Sequence, residues 1–370
     1  MSRVLFSIGS LGGGGAERVV SVWTRQLVRQ GIEVGVLVYG RTEKEYVIEE
    51  GVNILTIVPS YQDYAKLSYF QRVRRAREEI KKYKPDVVIS FLQRNQITTM
   101  FATWGLSVRR VETVRISPWE VYKDNALELL LWKLCFRTCY AAIVQTAEQA
   151  EYFSKAVQKK VVVVSNPLGD QYIEKYKEDY SESAHKFIAA GRINEQKNYP
   201  LMIKAFAEAQ KREPDITLRI FGDGDKEYIA TLKELIKELD LEEAVVLCGK
   251  TMTIDSEFRS SDVYIMSSDY EGMPNSLAEA MASGLVCIST NCRTGPKDLI
   301  DNGVNGFLTK VGDIESMSEA ILKACRMTKE ESARMGKRAR EKALRTCGSN
   351  RSLDKLITIV EKRPEMEQIR

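Results

Sequence analysis

The stretch "DVYIMSSDYEGMPNSLAEAMASGLVCISTN" (residues 262–291) gives the clearest indication of the fold class. Its two ends, 262–268 and 285–291, are continuous apolar runs of the kind found in strands that are covered on both faces. Between them the sequence predicts a short helix over about 274–282. A strand, a helix and a second strand in this order form a parallel βαβ unit, which places this part of the chain in an α/β fold.

Two glutamates, Glu271 and Glu279, interrupt this otherwise small and apolar helical region. One continuous helix would separate them by about 12 Å along its axis, but Gly272 and Pro274 break the pattern, and Pro suits the first helical position. Glu271 therefore precedes the helix, Glu279 lies inside it, and the first-turn amides make the helix end positive. An anion site beside two hydroxyl-accepting carboxylates fits a ligand with phosphates and many hydroxyls, such as a nucleotide sugar.

The same alternation of strands and helices extends along most of the 370 residues, and a polar, charged stretch interrupts it. We predict two Rossmann-like, doubly wound α/β domains that face a central cleft, where the carboxyl ends of the strands bind the ligand. The predicted first domain comprises 1–168, the linker 169–185 and the second domain 186–348. A C-terminal helix, 349–370, is predicted to pack back on the first domain.

Composition narrows the class of protein. The chain is 44% hydrophobic and 29% charged, with a net charge of +4, which is typical of a globular protein and not of a nucleic-acid binder. Seven scattered cysteines without a CxxC pair, and one histidine, argue against a zinc site and favour a reduced, cytoplasmic chain. No signal peptide is visible, and no apolar run approaches the roughly 20 residues that span a bilayer.

A glycine-rich loop, "GSLGGGGAERVV" (9–20), follows the first predicted strand. Such loops let a ligand approach the backbone closely and leave amides available at the next helix. The dinucleotide fingerprint is broken, because Glu17 occupies its third glycine position. We predict a ligand-facing loop, with a flexible turn as the alternative.

The segment "GRINEQKN" (191–198) opens the second domain in a similar way. It places Arg192 and Lys197 just past the carboxyl end of a strand. Arginine offers a planar fork to phosphate oxygens and lysine a compact charge, so the pair suits a diphosphate. The alternative is a solvated loop.

Taken in order, these motifs resemble the retaining glycosyltransferases of the GT-B fold, family 4. The resemblance rests on the two glutamates spaced as E-x7-E, preceded by "GRINEQKN" and "FGDGD", and it extends through "GGGGAERVV", "VVSNPL" and "TGPKDLIDNGVNGFL". The sequence is most similar to bacterial transferases that build polysaccharides, such as capsule or exopolysaccharide, or lipid-linked oligosaccharides. Several of these use UDP-N-acetylhexosamines.

The resemblance implies metal-independent transfer, without a cofactor, from a UDP-sugar to a glycan or an undecaprenyl-diphosphate-linked acceptor. It implies that Arg192 and Lys197 bind the donor diphosphate, that Glu271 faces the transferred sugar and that Glu279 binds the ribose. Further donor contacts are expected from Gly191, Gly222, Lys250, Met273, Pro274, Asn275, Ser276 and Leu277. The loop beside the diphosphate and acceptor comprises Gly12, Gly13, Gly14, Gly15 and Glu17. Candidate acceptor residues are Arg18, Arg94, Arg115, Trp119 and Glu120.

The sequence also departs from the family. Many relatives carry a histidine near the sugar in the first domain, but the only histidine here is His185, beside the linker. The region "TVRISPWE" (113–120) also differs from the usual "SERNDP"-like pattern. Two alternatives therefore stay open: a nucleotide-sugar epimerase of similar architecture, and a non-catalytic nucleotide-sugar-binding module.

A basic helix is predicted over 69–85, with seven basic and two acidic residues. Apolar side chains recur at helical spacing, at Phe70, Val73, Ala76, Ile80 and Tyr83, as in a helix docked on a sheet. The charged face is either simply solvated or lies near anionic lipid. The second interpretation predicts peripheral contact with the inner face of the membrane.

Overall fold

The computed structural model describes residues 2–43, 45–121 and 125–361, with the side chains of 349–351 excepted. Residues 362–370 of the predicted C-terminal helix lie outside the described residues. The chain divides into unit 1, Met1–Pro167 with Ser349–Arg370, and unit 2, Leu168–Gly348.

The strands in chain order are β1 (Arg3–Ile8), β2 (Glu33–Val38), β3 (Asn53–Thr56), β4 (Val87–Ser90), β5 (Arg109–Thr113), β6 (Ala141–Val144), β7 (Val161–Val163), β8 (Lys186–Ala190), β9 (Thr217–Phe221), β10 (Val245–Gly249), β11 (Val263–Met266), β12 (Val286–Thr290) and β13 (Phe307–Thr309). The helices are α1 (Gly15–Arg29), α2 (Tyr61–Lys66), α3 (Tyr69–Tyr83), α4 (Gln93–Ala102), α5 (Ala126–Thr138), α6 (Ala147–Glu151), α7 (Lys155–Gln158), α8 (Asp170–Glu174), α9 (Tyr199–Gln210), α10 (Lys226–Glu238), α11 (Ile254–Arg259), α12 (Asn275–Ala282), α13 (Pro296–Leu299), α14 (Ile314–Cys325), α15 (Lys329–Cys347) and α16 (Ser349–Glu361). Short 3-10 turns occur at Pro118–Glu120 and Glu195–Lys197.

Unit 1 is built on a parallel sheet whose described strands run in the order β3-β2-β1-β4-β5-β6-β7. Strand order reverses between β1 and β4, which is the switch point of a doubly wound sheet. Its fully buried strands explain the continuous apolar runs in the sequence. Helix α16 belongs to this unit: Leu356 and Ile359 are buried in its core, and Arg109 donates hydrogen bonds to the carbonyls of Ile359 and Val360, at 3.1 and 2.6 Å.

Unit 2 repeats this plan, with its described strands in the order β10-β9-β8-β11-β12-β13 and a switch point between β8 and β11. The two doubly wound parallel sheets confirm the predicted α/β fold class. The segment 169–185, which we predicted as a linker, packs against unit 2. Tyr172 is buried there, and the Lys177 ammonium lies 2.9 Å from a carboxylate oxygen of Asp262. Polar composition obscured this packing, because a buried ion pair carries no apolar signal.

The basic helix appears as α3, but its apolar face is shorter than predicted. Ala76, Ile80 and Tyr83 are buried, whereas the side chain of Phe70 is 76% exposed. Phe70 lies in the first turn of α3. The apolar side chains continue at helical spacing to this turn, but only the later turns of the helix are buried. No described helix is both long enough and apolar enough to cross a bilayer.

A buried acid–base pair lies in the core of unit 1. Glu112 on β5 has no solvent exposure, accepts a hydrogen bond from the Ser90 hydroxyl at 2.7 Å and lies 3.4 Å from the guanidinium of Arg110. Burial raises the pKa of Glu112 to about 7 and outweighs the opposing effects of Arg110 and Ser90. The folded protein therefore holds this proton at pH values where the unfolded chain has lost it.

We predict that Glu112→Gln changes the pH dependence of stability. Below pH 4.5 the carboxyl is protonated in both states. Between pH 4.5 and about 7 the Glu112 carboxyl ionises in the unfolded chain but stays protonated in the folded protein. Ionisation therefore stabilises the unfolded state, and the free energy of unfolding of the wild type falls relative to that of the variant. Urea unfolding gives the free energy of unfolding of the variant minus that of the wild type, and this difference should increase by about 2–3 kcal/mol between pH 5 and pH 8. The surface control Glu78→Gln should show no such shift. If the free energies of unfolding of the wild type and Glu112→Gln change in parallel with pH, the raised pKa of Glu112 is contradicted.

Candidate active site

A lysine and a glutamate meet at the switch point of unit 2. Lys197 follows β8, Glu271 follows β11, and these neighbouring strands mark the reversal of strand order. The Lys197 ammonium lies 2.5 Å from Glu271 Oε1, and the two side chains are only 16% and 9% exposed. The pair thus occupies the place where doubly wound sheets bind their ligands.

Only one carboxylate oxygen of Glu271 is held by hydrogen bonds from described residues. Its Oε1 accepts hydrogen bonds from Lys197 and from the Ser268 hydroxyl, the latter at 2.8 Å. The Thr294 hydroxyl donates to the Glu271 backbone carbonyl and fixes the turn. Among the described residues, Oε2 has no hydrogen-bond partner. The fold therefore orients the carboxylate and leaves one oxygen available to accept a hydroxyl.

The turn that carries Lys197 is fixed by backbone contacts. The Ser267 hydroxyl donates to the Lys197 carbonyl at 2.7 Å, and the Gln196 side chain donates to the Tyr270 carbonyl at 2.8 Å. Asn198 adopts a left-handed conformation, with φ of 44°, and its side chain accepts from the first turn of α9. The loops after β8 and β11 therefore act as one rigid frame for the pair.

A second cation stands beside this frame. Arg192 is exposed, and the structure shows no ion pair or hydrogen bond from its side chain to any other described residue. Its loop lies tightly against the next one, because a Cβ at Gly222 would come within 1.9 Å of the Gly191 carbonyl oxygen. Lys250 follows β10 and is exposed at the same edge of the sheet.

Helix α12 supplies the other predicted donor residues. Pro274 caps it without a side-chain acceptor for the first-turn amides. Ser276 accepts a hydrogen bond from the Tyr264 hydroxyl at 2.7 Å, and Asn275 begins the helix beside it. Glu279 is only 4% exposed within the helix. The buried side chains that anchor α12 include those of Met273 and Leu277.

The predicted loop of unit 1 connects β1 to α1. Gly12 forms an antiparallel bridge with Glu45, and Gly14 caps α1. The Glu17 carboxylate lies against Gly14, since a Cβ there would be 2.2 Å from Glu17 Oε2. Gly13 and Gly15 are exposed.

The predicted acceptor residues follow three strands of unit 1: Arg18 comes after β1, Arg94 after β4, and Arg115, Trp119 and Glu120 after β5. Trp119 packs edge-on against Tyr152, with ring centroids 5.4 Å apart. Arg94 lies on α4, 4.0 Å from Glu128. Arg18 lies in the first turn of α1, and Glu120 lies in the 3-10 turn Pro118–Glu120.

Sequence reasoning missed the residues that orient the pair. Ser267 and Ser268 follow β11, and Thr290 ends β12, with its hydroxyl donating to the Ser268 carbonyl at 2.6 Å. Thr294 completes the set. The available signal was the run of small hydroxyl residues at consecutive strand ends, a position where such side chains satisfy turn carbonyls.

Comparison with known proteins assigns both halves of the chain. Residues 13–171 match the model described as Glycosyltransferase Family 4, and residues 171–342 match Glycosyl transferases group 1. Among solved structures, Staphylococcus aureus TarM superposes with a TM-score of 0.80 at 13% identity, covering 97% of this chain and all of that one. Anabaena HepE in complex with UDP and glucose has a TM-score of 0.79 at 19% identity, with 98% and 100% coverage.

Two sequence relatives span nearly the whole chain. An uncharacterized glycosyltransferase of Haemophilus influenzae is 28% identical, over 87% of this chain and 90% of the relative. A Campylobacter jejuni α-1,4-N-acetyl-D-galactosaminyltransferase, named for an undecaprenol-diphosphate-linked GalNAc acceptor, is 26% identical over 87% and 88%. The chain belongs to the GT-B glycosyltransferases of the group 1 and family 4 type, a class that matches its paired doubly wound sheets.

Proposed function

We propose that the protein is a retaining glycosyltransferase that moves a sugar from a UDP-sugar to a glycan or an undecaprenyl-diphosphate-linked acceptor. The observation that carries the proposal is the Lys197–Glu271 pair at the switch point of unit 2, with Arg192 beside it. Family membership supports the reaction class. The Campylobacter relatives, named as N-acetylgalactosaminyltransferases, make an N-acetylhexosamine the leading candidate sugar.

Lys197 and Arg192 are positioned to stabilise the leaving nucleotide diphosphate. Breaking the sugar–phosphate bond develops negative charge on the leaving diphosphate, and preorganised donors stabilise such charge strongly. Lys197 is already fixed by Glu271, while the exposed Arg192 forms no ion pair or hydrogen bond through its side chain with another described residue. The positive end of α12 adds to the same field. These groups support charge stabilisation without a metal ion or other cofactor.

The two carboxylates serve different parts of the donor. Glu271 has one oxygen held by Lys197 and Ser268, and we assign the other to a hydroxyl of the transferred sugar. Glu279 is assigned to the ribose hydroxyls. The acceptor oxygen attacks the anomeric carbon on the face from which the diphosphate leaves, and a donor phosphate oxygen takes the acceptor's proton. This route, implied by the family, needs no protein base.

Two other functions fit the same donor site. An epimerase would convert a UDP-sugar with no acceptor present, and a binding module would hold UDP without turnover. Incubating the protein with UDP-GlcNAc or UDP-GalNAc, with and without a lipid-linked oligosaccharide, separates the three. Transfer that depends on the acceptor supports the proposal, whereas isomerised donor in its absence supports the epimerase.

We predict that Lys197→Ala lowers kcat by about 10²–10³, because it removes a cation that stabilises the leaving diphosphate. UDP release from the donor measures turnover, and circular dichroism checks that the variant is folded. The exposed Lys204→Ala on α9 is the matched control and should retain wild-type rates. A folded Lys197→Ala variant with near wild-type kcat would count heavily against the assignment.

Glu279→Gln is predicted to weaken UDP binding about tenfold, since a charged acceptor for the ribose hydroxyls becomes neutral at constant size. A thermal-shift titration with UDP, GDP and ADP measures the loss and the base preference. The Glu315→Gln variant, in the first turn of α14, controls for loss of charge in unit 2. Unchanged UDP affinity in Glu279→Gln would refute the ribose assignment.

We also propose peripheral contact with anionic membranes through unit 1. Helix α3 carries exposed basic side chains together with the exposed Phe70. On α5, Leu127 and Leu130 are 66% and 65% exposed. Exposed apolar side chains beside lysine and arginine are typical of surfaces that insert shallowly into a charged lipid interface. A lipid-linked acceptor would be presented at such an interface.

We predict that Arg74→Glu with Arg75→Glu reduces co-sedimentation with phosphatidylglycerol vesicles at least fivefold, because each basic residue contributes about 1 kcal/mol near an anionic surface. The matched control is Lys337→Glu with Arg338→Glu, two exposed residues of α15 in unit 2. Equal vesicle binding by both double variants would show that α3 does not form the membrane-binding surface.

A further inference from the structure

A buried tyrosine contacts the first turn of helix α12. Tyr264 lies on β11, one of the two strands at the switch point of unit 2, and its side chain has no solvent exposure. Its hydroxyl donates a hydrogen bond to Ser276 Oγ at 2.7 Å. The Ala190 carbonyl oxygen is 3.5 Å away, beyond the usual O–H···O range of about 2.5–3.0 Å. The single phenolic proton therefore goes to Ser276.

Tyr264 keeps this proton at neutral pH. Burial raises its pKa well above the ordinary value, because the ionised phenolate would be desolvated, and this outweighs the opposing effect of the hydrogen bond to Ser276. Ser276 Oγ is therefore always the acceptor in the contact. The proton of the serine hydroxyl has to point elsewhere.

The Ser276 hydroxyl donates to no other residue in the part of the chain that the structure describes. A serine in a helix can return its proton to the carbonyl three or four residues earlier, which here belongs to Met273 or Gly272. The structure shows no such bond, and the contact with Tyr264 is its hydrogen bond to a described residue. The Ser276 side chain is half-buried, so a ligand can reach its hydroxyl.

The hydroxyl lies beside other groups that donate to an anion. Pro274 caps α12 without a side-chain acceptor for the first-turn amides, and this end of the helix is positive. Helix α12 follows β11, the strand whose carboxyl end also leads to Glu271. The direction in which Ser276 donates is thus set, by a residue in the core, at the edge of the sheet where the donor is expected.

We infer that Tyr264 is a positioning residue for the nucleotide, which directs the Ser276 proton to a phosphate oxygen of the bound donor. The inference rests on the proposed function, because it needs a nucleotide sugar at the switch point of unit 2. A serine that is held as a donor favours a phosphate, whose charged oxygens accept strongly, over a neutral hydroxyl. Tyr264 itself touches no ligand and acts only through Ser276.

The test compares the affinity for UDP with the affinity for uridine, by thermal-shift titration of the full chain. Tyr264→Phe removes the hydroxyl and keeps the buried ring. Ser276 can then turn, so we expect the UDP affinity to fall about threefold to fivefold. The uridine affinity should stay unchanged, since uridine has no phosphate. A disturbed α12 would instead lower both affinities, because Glu279, the residue assigned to the ribose, lies in the same helix.

Two further variants isolate the contact. Ser276→Ala should weaken UDP binding about fivefold to tenfold, and adding Tyr264→Phe to it should cause no further loss, because no serine hydroxyl is left to direct. The matched control is Tyr180→Phe. Tyr180 is another buried tyrosine of unit 2, and its hydroxyl donates at 2.8 Å to the carbonyl of Gly284, just beyond the other end of α12. This control should leave both affinities unchanged.

The outcomes separate this inference from the proposed function. A wild-type protein that binds no UDP contradicts both. If the wild type binds UDP and Tyr264→Phe binds it equally tightly, the role of Tyr264 is overturned and the proposed donor site stands. Equal losses of UDP and uridine affinity, or additive losses in the double variant, would show that Tyr264 only supports packing, and would overturn the inference as well.

Discussion

The contact between Lys197 and Glu271 is the interaction on which the candidate active site depends. It links the loops after β8 and β11, the two strands between which the order of the unit 2 sheet reverses. Ser267, Ser268 and Thr294 use their hydroxyls to hold the two turns in place. The result is a lysine whose position is set before any ligand arrives and a glutamate with one oxygen already occupied. Preorganisation of this kind is what stabilisation of a leaving group requires.

The same topological rule organises both units. Each sheet is parallel and doubly wound, and each has a loop with glycine after its first strand. In unit 2 the switch point gathers a paired lysine and glutamate with an exposed arginine. In unit 1 the half-buried guanidinium of Arg115, which follows β5, lies over the rings of Trp23 and Phe91. The same architecture therefore holds one cation in an ion pair with a glutamate and another against aromatic rings.

Local pattern predicted the fold well, because buried parallel strands read as continuous apolar runs and turns carry Gly and Pro. The division of 262–291 into strand, turn, helix and strand is confirmed. Packing of polar segments was not predictable: 169–185 resembles a linker, yet Lys177 and Asp262 bind it to unit 2. The Arg115 stack was equally hidden, because Trp23 and Phe91 are distant in sequence and meet only through strand order. Side-chain spacing also misplaced Phe70, which lies beyond the packed part of its helix.

The most direct test is a crystal structure of the protein with UDP bound. The account predicts diphosphate oxygens within hydrogen-bond distance of Lys197 and Arg192, the ribose hydroxyls on Glu279 and an intact contact between Lys197 and Glu271 Oε1. It also predicts that Glu271 Oε2 faces open space beside the β-phosphate, where the transferred sugar would lie. A nucleotide bound away from the switch point of unit 2, or a Glu271 carboxylate directed away from the phosphates, would contradict it.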